Sequence, residues 1–161
     1  MTFVVAPIAF GSVQFRISEV FAILPFFFPV AVPGLFIGCL IANWLFSPYG
    51  LVDVVVGSAA SLVAALCTMQ IGKISRERLS AKVFACLPPV IVNAVFIGAL
   101  IAWFAVGFDD AGVFLSAFTS FGLWVGLGQM VVLYGLGLPL LIFLPKFGVI
   151  DKLSEVYGHE S

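Results

Sequence analysis

Ionisable side chains are scarce in this chain. Asp, Glu, Lys and Arg make up 9% of its 161 residues, and the single histidine, His159, lies in a polar tail. That scarcity removes whole classes of chemistry. No Ser-His-Asp or Cys-His set can be assembled around a histidine placed there, and neither HExxH nor paired metal-ligand spacing occurs. The three cysteines, Cys39, Cys67 and Cys86, lie in or beside apolar runs without a CxxC spacing. They read as small apolar residues rather than a disulfide or metal framework. No enzyme, metal or cofactor is expected. A GxxxxGK[ST] loop is also missing, so a transporter built from this chain is either passive or energised by another subunit. A net charge of -1 points away from nucleic acid and from strongly charged partners. The amino end has no basic segment leading into a small-residue cleavage site, so a removable signal peptide is not expected.

What is abundant is hydrocarbon. Hydrophobic residues make up 63% of the chain, 18 of them Phe, and mean hydropathy is +1.25. Several apolar runs approach the roughly 20 residues a helix needs to cross a bilayer. The expected fold is an all-α, polytopic membrane bundle. A single integral membrane domain over 1–145 is expected to carry one basic loop, 73–82, and a polar tail, 146–161.

Residues 2–10 are apolar but about half the spanning length, like the end of a helix whose beginning is missing. The polar stretch Gly11–Glu19 follows, then an apolar helix from about Ser18 to Phe28. Pro29 and Pro33 bracket a reversal, because proline fits the first turn of a helix better than its interior. A helix over about 30–46 carries Gly34, Gly38 and Ala42, a spacing that lets helices approach closely in lipid. Ser47–Gly50 is a turn. A helix over about 51–71 has Asp53 near its positive end and a second small pair, Ala60 and Ala64. After the basic loop, a helix over about 84–106 has Pro88-Pro89 at its start rather than as a hinge. Gly107–Asp110 is an acidic turn. The run 113–144 is too long for one untilted crossing, so a lead-in segment and then a spanning helix from about Phe121 are expected. No internal repeat is apparent.

Loop 73–82 holds four of the seven Lys and Arg, which places it in the cytoplasm by the positive-inside rule. Counting crossings from it puts the tail and the Pro29–Pro33 reversal inside. The turns at 47–50 and 107–110 and the 11–19 stretch fall outside. Trp44, Trp103, Trp124 and Tyr49 then fall near the outer boundary, where aromatic rings favour the headgroup region. On this frame Gln14, Arg16, Glu19, Asn43, Asp53, Asn93 and Gln129 gather in the outer and middle part of the bundle. An ionisable group at membrane depth costs about 2.5–3.5 kcal/mol on insertion scales, so such a cluster points to a capture site. Each residue also has a plainer reading. Arg16 and Glu19, three apart, pair on one helical face; Asn93 and Gln129 bond neighbouring helices; Asn43 and Asp53 cap helix ends; His159 is inert.

Five segments carry a family resemblance: Gln14-Phe-Arg-Ile-Ser-Glu19, Pro33-Gly-Leu-Phe-Ile-Gly-Cys-Leu-Ile-Ala-Asn43, Leu51-Val-Asp53, Leu87-Pro-Pro-Val-Ile-Val-Asn93 and Tyr134-Gly-Leu-Gly-Leu-Pro139. From about Ala6 to Leu144 the chain resembles the QueT family, substrate-binding S components of energy-coupling-factor (ECF) transporters. The resemblance implies a six-helix S component that binds a queuosine precursor, a 7-deazaguanine base, from outside. It also implies an ECF transmembrane coupling subunit and two ATPase subunits as partners. The chain departs from the family pattern in its truncated first helix and in Gln129, where Gly-Gln replaces Gly-Glu. The candidate substrate-binding residues are Gln14, Arg16, Glu19, Asn43, Asn93 and Gln129. Glu19 would accept the donor pair of the base, Asn93 and Gln129 would read its remaining edge, and Phe or Trp rings near the outer boundary would stack on it. An S component for another vitamin or purine-like ligand, and a structural or assembly membrane protein, are the alternatives; a membrane-embedded enzyme is a more distant one.

Overall fold

The computed structural model describes residues 17–47 and 49–147, and among these the secondary structure is helical, without a strand. A 3-10 segment, Ile17–Phe26, leads into α1 (Ala31–Phe46) and α2 (Leu51–Ser75). Then come α3 (Leu79–Ala85), α4 (Leu87–Val106) and α5 (Ala111–Val132). A π turn, Leu133–Gly137, joins α5 to α6 (Leu138–Phe143), and a short 3-10 turn, Leu144–Phe147, follows. Among the described residues three continuous helical stretches are long and apolar enough to cross a membrane: Leu51–Ser75, Leu79–Val106 and Ala111–Lys146. With its 16 residues α1 is shorter, about 24 Å, against a hydrocarbon core of about 30 Å. The reading of residues 2–10, and hence of a truncated first helix, lies outside the described residues.

Several boundaries depart from expectation for local reasons. The segment expected as an ordinary helix over 18–28 winds as a tight 3-10 coil with Pro25 inside it. Proline has no N–H to give to an α-helical carbonyl. The basic loop is largely helical, because α2 runs on to Ser75 and α3 begins at Leu79, leaving only 76–78 as a turn. Lys and Arg are good helix formers, and Lys73 in the last turn suits the negative end of the dipole. No break occurs near Phe121. Asp110 caps α5, its Oδ1 accepting from Gly112 N at 2.8 Å and Val113 N at 3.2 Å, and the helix continues to Val132. The irregularity falls instead at the π turn, just before Pro139, where one more amide proton is missing from the ladder.

Two apolar clusters hold the bundle. At the basic-turn end Ile23, Phe26, Phe27, Cys86, Leu133 and Leu141 pack together, with α3 laid against them through Ala81 and Ala85. Arg76 Nη2 donates to Phe27 O at 2.9 Å, and Thr68 Oγ1 to Ala85 O at 3.3 Å, tying this end together. At the other end Ile97, Ile101 and Val125 pack with Tyr49 and Phe121. Helices α4 and α5 meet at two glycines: a Cβ on Gly98 would lie 2.6 Å from Gly122 Cα, inside any allowed contact. Asn93 and Gln129 fall in sequence between the two clusters on their respective helices, so their amides sit in the layer between them.

The small-residue strips separate into two kinds. Ala60 and Ala64 are buried, as close packing requires. Gly34 and Gly38 are not: both are exposed, and a Cβ built on either meets nothing within 4 Å. Among the described residues no helix approaches them closely. Trp44, Tyr49 and Trp103 do share one end of the bundle, where the Tyr49 ring lies 5.1 Å from Phe104 and Trp103 5.4 Å from the same ring. Trp124 lies deeper than expected. Taking Gly98 and Gly122 as level, it sits about 10 Å further along the bundle than Trp103.

Candidate functional site

Glu19 projects from the first turn of the 3-10 segment into the layer between the two apolar clusters. There its Oε2 accepts Asn93 Nδ2 from α4 at 2.5 Å, and Gln129 Nε2 from α5 as well. Both amides are buried, Asn93 at 6% exposure and Gln129 at 3%. Because each carboxamide turns its NH2 to the same oxygen, they act here as donors to a carboxylate. Two such donors satisfy lone pairs of the carboxyl group and offset part of the cost of placing it among hydrocarbon. Three elements remote in sequence converge on one oxygen.

Beside this centre lies a cavity of about 240 Å³ between the 3-10 segment, α1, α2 and the start of α4. Its polar lining is Glu19, Asn93, Asn43, Cys39 and Ser61, and the rest is apolar or small, including Phe21, Leu35, Ala42 and Pro89. Gly34 and Gly38 line it too, and they explain its existence. Any side chain at these positions would project into the space that the glycines leave. The volume lies just under the about 300–1,000 Å³ of sites for drug-sized molecules, so it suits a small, flat ligand.

The opposite wall is built from α1 and α2. Asn43 Nδ2 donates to Asp53 O at 3.3 Å and lies 3.5 Å from Cys39 Sγ, and Ser61 Oγ donates to the same sulfur at 3.1 Å. Gly57 makes room for this arrangement, since a Cβ there would overlap the Asn43 amide and come within 3.1 Å of Asp53 Oδ1. Behind Asn43, Asp53 is 1% exposed; its Oδ2 accepts from Ser47 Oγ, and its Oδ1 has no partner among the described residues. Asp53 is therefore not the helix cap expected for it. The cap position is Gly50, with no side-chain bond, and the carboxylate turns back to the 47–50 turn instead. Asn43 likewise links α1 to α2 rather than capping α1. In that turn Tyr49 N donates to Ser47 Oγ at 3.1 Å. Burial, and then the Asp53 charge, raise the Tyr49 phenol above its ordinary range, so it remains neutral.

Of the six candidate residues, Glu19, Asn43 and Asn93 line one cavity. Gln129 joins them through Glu19 but is not part of the lining. Gln14 and Arg16 lie outside the described residues, and with them the expected Arg16–Glu19 pair. Among the described residues the aromatic ring on the cavity wall is Phe21, and none of the three tryptophans lines it. Sequence reasoning passed over Cys39, Ser61 and the cavity role of Gly34 and Gly38. The spacing of the glycines was visible, but spacing alone does not say whether the missing side chains admit a helix or a ligand. Among the described residues no group of three or more His, Cys, Asp or Glu side chains is placed to hold a metal.

A sequence model described as QueT transporter matches residues 1–146, nine-tenths of the chain. No curated protein and no solved structure matches it significantly.

Proposed function

The chain belongs to the QueT transporter family, and from that premise we propose that it is the membrane-embedded S component of an ECF importer, capturing a 7-deazaguanine-type queuosine precursor. Family and apolar helices together make it a membrane transport protein rather than an enzyme. The observation that carries the finer reading is Glu19, held by two buried amides at the wall of a small, mostly apolar cavity.

A 7-deazaguanine presents a flat apolar face, a carbonyl acceptor, and a ring N–H beside an exocyclic NH2. The carboxyl group of Glu19 suits such donors, and Oε1 is the oxygen that would meet them, since Oε2 already accepts from Asn93 and Gln129. Asn43 and Ser61 offer polar atoms on the facing wall, and Phe21 offers a ring for stacking, worth about 1–3 kcal/mol in other base-binding sites. In this reading Gln14 and Arg16 complete the polar set. Because the sequence contains no P-loop, the energy for uptake comes from partners: a transmembrane coupling subunit and two ATPase subunits. The basic segment 73–82 and the tail 146–161 face the cytoplasm, following the Lys and Arg bias. Residues 1–145 then form the membrane unit, of the six-helix S-component type.

The test is thermal unfolding of the purified protein with 7-deazaguanines bearing a nitrile or an aminomethyl group, with guanine and unrelated vitamins as controls. A ligand at 100-fold its Kd adds about 2.7 kcal/mol to the native state, an easily measured rise in Tm. Stabilisation by the 7-deazaguanines above the controls is expected. Stabilisation by a control vitamin alone would assign the cavity to another ligand, and none at all would overturn the proposed capture of a 7-deazaguanine.

A further inference from the structure

Gln129 is buried, conspicuously polar, and yet absent from the cavity lining, because Glu19 stands between them. We infer that Gln129 is a positioning residue: it reaches the ligand only through Glu19, whose carboxyl group it and Asn93 pin to the cavity wall. The inference rests on the proposed reading of the cavity as a ligand site.

The geometry leaves little choice. Asn93 lies on the cavity wall and approaches Glu19 Oε2 from α4, whereas Gln129 approaches the same oxygen from α5, behind it. Both N–H groups meet Oε2, so that oxygen is held in place as an acceptor. The side chain is thereby fixed in orientation, and the ligands a carboxylate favours are those that bring N–H donors or a positive charge. Among the described residues, the elements around Glu19 bring few titratable groups. From α4 comes the Asn93 amide and from α5 the Gln129 amide, while α1 and α2 face the cavity with Asn43, Cys39 and Ser61. The Cys39 thiol is the one among these that can ionise. Selectivity for donor-bearing ligands is thus set partly by a residue that no ligand touches.

A double-mutant cycle in the full-length protein tests this. Equilibrium binding of the nitrile-bearing 7-deazaguanine is measured for the wild type, Gln129→Leu, Glu19→Gln and the double variant. A lost hydrogen bond to a charged group predicts a fall of about ten- to a hundred-fold for Gln129→Leu alone. With Glu19→Gln already present, the same substitution is expected to change affinity by less than about twofold. Additive losses would show that Gln129 touches the ligand itself and would overturn the inference. A second variant, Gln129→Glu, keeps the test open where Gln129→Leu fails to fold or Glu19→Gln binds too weakly to measure. While its new carboxyl is protonated it still donates to Glu19, so affinity for this neutral base stays near wild type at low pH. At higher pH the two carboxylates repel and affinity falls, a step the wild type lacks; absence of that step also overturns the inference. If the wild type binds no 7-deazaguanine, the proposed function fails instead. Ligand-free unfolding of the same four proteins then decides the positioning role: coupling between positions 19 and 129 supports it, and independence overturns it.

Discussion

Glu19 carries more of the site's chemistry than any other side chain, and it does so because two amides hold it. Glu19→Gln leaves one oxygen to accept from the two amides and puts an NH2 donor where the other oxygen was, so the side chain no longer presents an acceptor to the ligand's N–H groups. The variant is expected to lose the ligand-induced rise in Tm that the wild type shows, whatever its own Tm. Cys39 provides a second reading at the same scale. It lines the cavity, whereas Cys86 is buried in the core and Cys67 is exposed outside the cavity. A small thiol reagent should modify Cys39 in the free protein and more slowly with ligand bound, while Cys67 is unaffected by ligand and Cys86 stays unmodified. Peptide mass spectrometry of alkylated protein resolves the three. Protection of Cys67 rather than Cys39 would place the ligand elsewhere.

At the scale of helices, glycines with the same sequence appearance do opposite work. Gly98 and Gly122 let α4 and α5 touch backbone to backbone, so Gly98→Ala forces them apart. A loss of about 1–3 kcal/mol is expected, as for other overpacked contacts, read as a lower Tm. Gly38 faces the cavity, and a methyl there meets nothing. Gly38→Ala should leave stability unchanged or raise it by up to about 1 kcal/mol through helix propensity. Gly38→Leu should keep the fold and abolish ligand stabilisation by filling the cavity. Reversed signs, with Gly38→Ala costly and Gly98→Ala benign, would mean that the helices pack differently. The 3-10 segment is the other element of consequence. Its first turn supplies Glu19 and its last packs Phe26 into the core, with Phe26 O so close to Gly72 that a Cβ there would overlap it.

At the scale of the whole molecule, the chain offers a cavity within a bundle and a sequence without the P-loop motif. In proteoliposomes the chain alone is therefore expected not to accumulate a 7-deazaguanine against a gradient. Co-reconstitution with a coupling subunit and its ATPase pair should give ATP-dependent uptake, and Glu19→Gln should remove that uptake without removing assembly. Accumulation by the chain alone would overturn the proposed dependence on partners.

The sequence by itself determined what depends on composition and local spacing. Long apolar runs bounded by Gly, Pro and charge specify membrane helices, and the positions of α1, α2 and α4 follow from them to within a few residues. The scarcity of polar groups also singled out Glu19, Asn43, Asn93 and Gln129, because each must find a partner in an apolar bundle. Tertiary structure alone decided which partner. Residues 19, 93 and 129 meet at one oxygen because three elements pack together, a relation no local period encodes. The same holds for Asp53, which the turn at Ser47 diverts from the helix end, and for Gly38, whose missing side chain leaves room for a cavity rather than for a neighbouring helix. Local spacing says which side chains share a face of a helix; only packing says what that face meets.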